Sequence, residues 1–206
     1  MKKLLLLMLL LGFQTTVFAQ SPGSYNVWCI GHSDCRVQNR YAGRDFPGVT
    51  WEIRNYDSEP CSYILEFLPL ILTQLQSQYG TPDKIENWLG DTDAEHGTNV
   101  TDFMSCTRQV VALELAVAPV VLPNVLPVPV YDPNNGNSFV IQYNQAEAAE
   151  LWPIGVTTVD VWTPTVVHMG PWSYTANLQY WTYPQADPNS LGWSVIDGVI
   201  APVLEK

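Results

Sequence analysis

Cys29-Ile-Gly-His32-Ser-Asp34-Cys35 sets two thiols, an imidazole and a carboxylate within seven residues. Zinc takes such ligands, but no second Cys or His pair stands at a usual spacing. In an exported chain the thiols pair instead, which makes Gly31-His-Ser-Asp34 a disulfide-closed turn. Asp91-Thr-Asp93-Ala-Glu95-His96 spaces Asp91, Asp93 and Glu95 as a calcium loop would, without the glycine at the sixth position or the distal bidentate glutamate. Asp132-Pro-Asn134-Asn-Gly136-Asn offers oxygen ligands too, and is better explained as a turn. The expectation is no metal and no cofactor, with calcium at Asp91, Asp93 and Glu95 as the weak alternative. Nucleophilic catalysis finds little support: there is no Gly-x-Ser-x-Gly elbow, no glycine-rich phosphate loop, and the serines near the three histidines carry no recognisable context. No catalytic residue is assigned, and the reading leans towards a non-enzyme. A hydrolase using Asp91, Asp93 or His96 is the third reading; it requires a cleft holding those groups with perturbed pKa values.

The aromatic set of the C-terminal half is the other feature with chemistry in it. In the run from Trp172 to Tyr183, Trp172, Tyr174 and Tyr180 share one strand parity while Trp181 and Tyr183 share the other. With Trp193 they form either the core of a small β layer or an exposed platform for a sugar or a protein partner.

Residues 1–19 read as a cleavable signal peptide: Lys2 and Lys3, an apolar run from Leu4 to Phe13, and small residues at positions 17 and 19. Export to the periplasm or the extracellular space follows. No transmembrane span is expected in the remainder. Loss of Lys2 and Lys3 moves the formal charge from −11 to −13, against binding to nucleic acid or anionic lipid. Residues 20–206 form a single α+β domain, or two subdomains joined by the proline-rich segment 119–130. Of the three pairings open to Cys29, Cys35, Cys61 and Cys106, Cys29–Cys35 and Cys61–Cys106 are favoured.

Strands are expected at 25–30, 35–41 and 49–56. A helix from Asp57 or Ser58 to Tyr79 carries a kink or break at Pro69. A second helix is capped by Thr81 with Ile85, Trp88 and Leu89 inward. Asp91 to Asn99 is a loop, and a third helix runs from Thr101 to Ala116. Four prolines between 119 and 129 exclude an interior strand. Beyond them come a hairpin pairing 128–131 with 138–143, two helical turns at 145–151, and strands at 155–162, 165–168, 172–183 and 193–199. The fold expected is α+β: a disulfide-braced N-terminal half with two or three helices, then an antiparallel Trp/Tyr-rich β half.

Tyr25 to Pro60 resembles the TraU family of exported conjugal-transfer proteins. The likeness lies in the cysteine-bearing start after a signal peptide, Cys35-x-Val37, Arg40-Tyr41, Pro47, Val49 and Tyr56. That resemblance implies a part in mating-pair formation and DNA transfer, as a component and not a catalyst. The functional expectation is therefore an exported, non-catalytic interaction or assembly protein of the bacterial envelope, in a conjugation or secretion apparatus, with protein partners. The alternative is a secreted carbohydrate-binding module using Trp172, Tyr174, Tyr180, Trp181, Tyr183 and Trp193.

Overall fold

A computed structural model describes residues 25–35, 48–123, 125, 136–169 and 188–204. Five strands, β1 (Tyr25–Gly31), β2 (Val49–Asn55), β3 (Lys84–Trp88), β4 (Val120–Pro123) and β5 (Thr157–Val159), form one sheet in the order β2-β1-β3-β4-β5. Every pairing is parallel. Helices α1 (Cys61–Tyr79), α2 (Asp91–Glu95), α3 (Val100–Leu115) and α4 (Gly136–Glu150) follow in turn, and α5 (Ser190–Leu204) closes the described chain.

The strand alternation divides the core into two layers, as successive side chains point to opposite faces. Trp28, Ile30, Ile85 and Leu122 pack with Ile64, Leu68 and Leu75 of α1, Phe103 and Val110 of α3, and Tyr143 of α4. Val27, Cys29, Trp88, Val121 and Val159 pack on the other face with Trp193, Ile196, Ile200 and Leu204 of α5. Both faces are covered, as a parallel sheet requires. The class is thus α/β, and the expected antiparallel Trp/Tyr-rich half is not the architecture seen.

Several local expectations are corrected with it. The segment expected as the helix after Thr81 is β3, whose Ile85, Glu86, Asn87 and Trp88 are all buried; a helix of that length would expose one side. β4 lies inside the sheet despite Pro119 and Pro123, because the two prolines sit at or beyond its ends. The Pro119 carbonyl still accepts from Ile85 N at 2.9 Å, a bond that needs no N–H of its own. The expected strand 138–143 belongs to α4, where Val140, Tyr143 and Glu147 are buried at helical spacing. Likewise 193–199 is helix, with Trp193, Ile196, Ile200 and Leu204 inward. Residues 165–168 lie in a helical turn, Thr165–Met169, and only Thr157–Val159 of 155–162 is strand. Asp91–Glu95 is helical rather than loop.

α1 is continuous through Pro69. Pro69 lies on the exposed face, where water can satisfy the carbonyl freed one turn earlier. Its first residue is Cys61, after Pro60, and Gly80 ends it. Asn99, not Thr101, caps α3 by accepting from Asp102 N at 3.0 Å. The disulfides are Cys29–Cys35 and Cys61–Cys106, the pairing favoured from the sequence. The strand expected to run from Cys35 begins instead with a 3-10 turn, Ser33–Cys35, and its remainder, like residues 1–19, 128–131 and 172–183, lies outside the described residues. No helix among the described residues is long and apolar enough to cross a membrane.

Candidate functional site

In an open parallel sheet, ligands bind at the carboxyl ends of the strands where successive connections diverge to opposite faces. With the order β2-β1-β3-β4-β5, that point lies between β1 and β3. The two turns bordering it are rich in polar groups: Gly31-His32-Ser33-Asp34 after β1 and Gly90-Asp91-Thr92-Asp93 after β3.

Glycine shapes both turns. Gly31 has φ +154°, and a Cβ there would meet the Trp88 carbonyl oxygen at 2.2 Å, so β1 can press against β3 only without a side chain. His32 N then donates to the same carbonyl at 3.1 Å. Gly90 has φ +106°, and its Cβ would lie 2.6 Å from Val125 Cγ2 and 3.0 Å from Phe103 Cζ.

His32 is 2 % exposed and joins the two turns. Its Nε2 lies 3.0 Å from Asp91 Oδ1, and its Nδ1 lies 3.5 Å from Asp34 Oδ2. Burial alone would depress the imidazole, but the Asp91 and Asp34 carboxylates and the Leu89 carbonyl outweigh it and raise the pKa to about 9. At neutral pH His32 is an imidazolium. Asp91 is held below the usual carboxylate range despite its own burial, by His32 and by the Thr92 backbone amide and hydroxyl.

Asp93, two residues on, lies near enough to feel the His32 charge, but its hydrogen bond goes to α1. Its Oδ2 accepts from Cys61 N at 2.9 Å, while burial pushes its pKa up. Both disulfides therefore adjoin the site: Cys29–Cys35 spans His32, Ser33 and Asp34, and Cys61 holds Asp93.

The acidic set expected from the sequence is thus only partly assembled. Asp91 and Asp93 sit beside the β1 turn, whereas Glu95 and His96 are exposed at the far end of α2. A calcium loop is not formed, since Asp91 is engaged with His32 and Asp93 with the Cys61 amide. Ligand atoms of His32, Asp34 and Asp91 do lie within 4.8 Å of one another. The two carboxylates address opposite ring nitrogens. Of the aromatic platform, Trp193 is 5 % exposed and packs edge-on against Trp88 with centroids 5.9 Å apart, in the core and not on a surface. Trp172, Tyr174, Tyr180, Trp181 and Tyr183 lie outside the described residues.

The chain superimposes on solved lipases and esterases. A GDSL-like lipase from Bacteroides thetaiotaomicron matches with TM-score 0.72 and 18% identity, over 91% of this chain and 92% of that one. A member of the lipolytic protein G-D-S-L family from Veillonella parvula matches with TM-score 0.69 and 14% identity, over 88% and 98%. A catalytic mutant of Axe2, an acetylxylan esterase from Geobacillus stearothermophilus, matches with TM-score 0.67 and 9% identity, over 90% and 96%. The fold is the one these lipases and esterases share. No family model matches the sequence, and no curated protein does.

These neighbours overturn the functional expectation. They are named as hydrolases, and the chain carries their whole fold, so the non-catalytic envelope assembly or conjugation component is corrected, and the carbohydrate-binding module with it. The sequence reading took the turn at 31–34 only as a disulfide-closed turn and passed over the pairing of His32 with Asp91. One signal for them was available: two buried strands, each ending in glycine followed at once by a polar cluster, Gly31-His-Ser-Asp and Gly90-Asp-Thr-Asp.

Proposed function

We propose that the protein is an ester hydrolase with Ser33 as its nucleophile. The observation that carries this is the meeting of the Ser33 turn and the Asp91–Asp93 turn at the carboxyl ends of β1 and β3. The name G-D-S-L borne by the structural neighbours spells Gly-Asp-Ser-Leu. Here the turn after β1 reads Gly31-His32-Ser33-Asp34, with Gly and Ser in the same register. The Ser33 oxygen bonds to the ester carbonyl carbon and its proton passes to the alkoxide, which leaves as the alcohol; water then attacks the acyl-serine, giving its hydroxyl to the acid and a proton back to the serine oxygen. Serine-based acyl transfer calls for no cofactor, as the sequence reading expected.

The experiment is hydrolysis of p-nitrophenyl acetate and butyrate by the purified protein, with fluorophosphonate labelling followed by peptide mass spectrometry. Turnover with an adduct on Ser33, both lost in Ser33→Ala, is the expected result. A protein that neither turns over these esters nor takes the label sinks the proposal.

A further inference from the structure

His32 stands where the name of the neighbours has aspartate, and a histidine beside a serine invites the role of general base. Its surroundings deny that role. Both ring nitrogens face carboxylates, at 3.0 Å and 3.5 Å, and the side chain is 3 % exposed. A base must have a nitrogen free to accept the nucleophile's proton. Neither nitrogen of His32 is.

We propose that His32 is a positioning residue, pinning the Ser33 turn after β1 to the Asp91 turn after β3 and so fixing the crevice between them. The proposal rests on the ester-hydrolase reading for its catalytic consequence. The pin has three parts. His32 N is bonded to the Trp88 carbonyl, its Nε2 meets Asp91, and its Nδ1 meets Asp34 within its own turn. The imidazolium charge strengthens both ring contacts, and the closer one, to Asp91, lies at hydrogen-bond distance. The charged and polar groups facing the ring are Asp34 from its own turn, Asp91 and Asp93 from α2, and the Leu89 carbonyl. All favour the imidazolium, and the His32–Asp91 contact crosses from one strand's turn to the other's. Deprotonation would weaken the two ring contacts, the one to Asp91 included, while leaving the His32 N–Trp88 bond and the disulfide Cys29–Cys35 intact.

The test uses the whole protein. His32→Gln keeps bulk and hydrogen-bonding capacity but no charge. It is expected to retain the far-ultraviolet circular dichroism of the native protein and the fluorophosphonate adduct on Ser33. Its kcat on p-nitrophenyl acetate should fall about 10- to 100-fold with KM within threefold, since positioning acts on the reacting geometry. Native kcat should decline above about pH 9, where His32 loses its proton, and that limb should be missing in His32→Gln. A kcat within twofold of native, with the same pH profile, overturns the proposal. Should His32→Gln fail to fold, Asp34→Asn removes one carboxylate from the pair and should move the alkaline limb to lower pH; an unmoved limb overturns it equally. A nuclear magnetic resonance titration of the His32 ring separates the two readings. Titration below pH 7 in a protein that hydrolyses esters refutes the pin alone, whereas titration near 9 in a protein that hydrolyses none refutes the hydrolase reading and the catalytic consequence drawn from it.

Discussion

The backbone amide of Cys61 donates to the Asp93 carboxylate at 2.9 Å, so the longest helix of the described chain is capped from outside itself. Pro60 precedes α1 and offers no side-chain acceptor for the first amide. The carboxylate that supplies one comes from the turn after β3, 32 residues on, and it also favours the positive end of the α1 dipole. The start of α1 and the turn after β3 are therefore joined through Asp93.

That link predicts a stability loss for Asp93→Ala of about 1–2 kcal/mol, the usual worth of a helix N-cap. Asp93→Asn keeps an acceptor and should lose less. Thermal and urea melts of the two variants check this, and equal losses would show that the Cys61 amide does not need the Asp93 side chain.

Buried acids predict a second, pH-dependent effect. Glu114 is fully buried, with Asn87 Nδ2 donating to Oε1 at 2.6 Å; burial raises its pKa to about 8, and that bond only partly opposes it. Because the folded pKa lies above the unfolded value, the native state binds the extra proton. The stabilisation is complete below about pH 4.3 and is lost as pH rises towards about 8. Glu114→Gln should flatten this decline, so that the variant gains on the native protein between pH 6 and pH 9. Urea melts across that range measure it.

Glu147 extends the same argument without a partner. It is 1 % exposed, neither carboxyl oxygen has a hydrogen-bond partner among the described residues, and burial holds its pKa well above the ordinary value. A buried unsatisfied carboxyl costs stability that an apolar side chain of similar size would not. Glu147→Met should therefore raise the melting temperature, and more so at pH 8 than at pH 5. A lower melting temperature at both would show that Glu147 has a partner worth keeping.

The helices α1 and α3 were legible because their apolar residues recur at helical spacing between clear stop signals, as in Ile64, Leu68, Ile71, Leu72 and Leu75 before Gly80. The sheet was not. β3 is buried on both faces, so it lacks the alternation that marks a strand, and its Glu86 and Asn87 disguise it as polar. β4 was hidden by prolines that turn out to sit at its ends. Helices α4 and α5 were read as strands because Phe139-Val-Ile and Trp193-Ser-Val-Ile are rich in residues of high β propensity, which tertiary packing overrode. With the parallel order unread, nothing in the sequence brought the turn at 31–34 to the turn at 90–93, which lie some 60 residues apart along the chain. Their meeting is a property of topology.

Gly31 yields a prediction that depends on this meeting. A methyl group at residue 31 would press on the Trp88 backbone at 2.2–2.9 Å, and backbone cannot swing away as a flexible side chain does. Gly31→Ala must then part β1 from β3 at the carboxyl edge, where His32 N reaches the Trp88 carbonyl. Overpacking of this kind costs typically about 1–3 kcal/mol. Esterase activity should fall more steeply than stability. Gly80→Ala, with nothing within 4 Å of its added carbon, is the control for a strained positive φ alone. Should both variants lose activity alike, the contact with Trp88 is not what matters.

The two disulfides separate stability from function. Cys61–Cys106 joins α1 to α3 across 45 residues, and chain-entropy bookkeeping values such a crosslink at roughly 3–4 kcal/mol. Replacing both cysteines by serine should lower the melting temperature sharply. It keeps the residue 61 amide that serves Asp93, so kcat at low temperature should change little. Cys29–Cys35 closes only six residues, and the same bookkeeping gives it less weight in stability. Yet it ties the end of the Ser33–Cys35 turn to the middle of β1, and Cys29 and Cys35 are both fully buried. Its removal should lower kcat more than the melting temperature, the reverse of the other pair. Melts and p-nitrophenyl acetate kinetics on the two double variants give the comparison, and a Cys29/Cys35 variant with native kcat would show that the turn keeps its shape without the bridge.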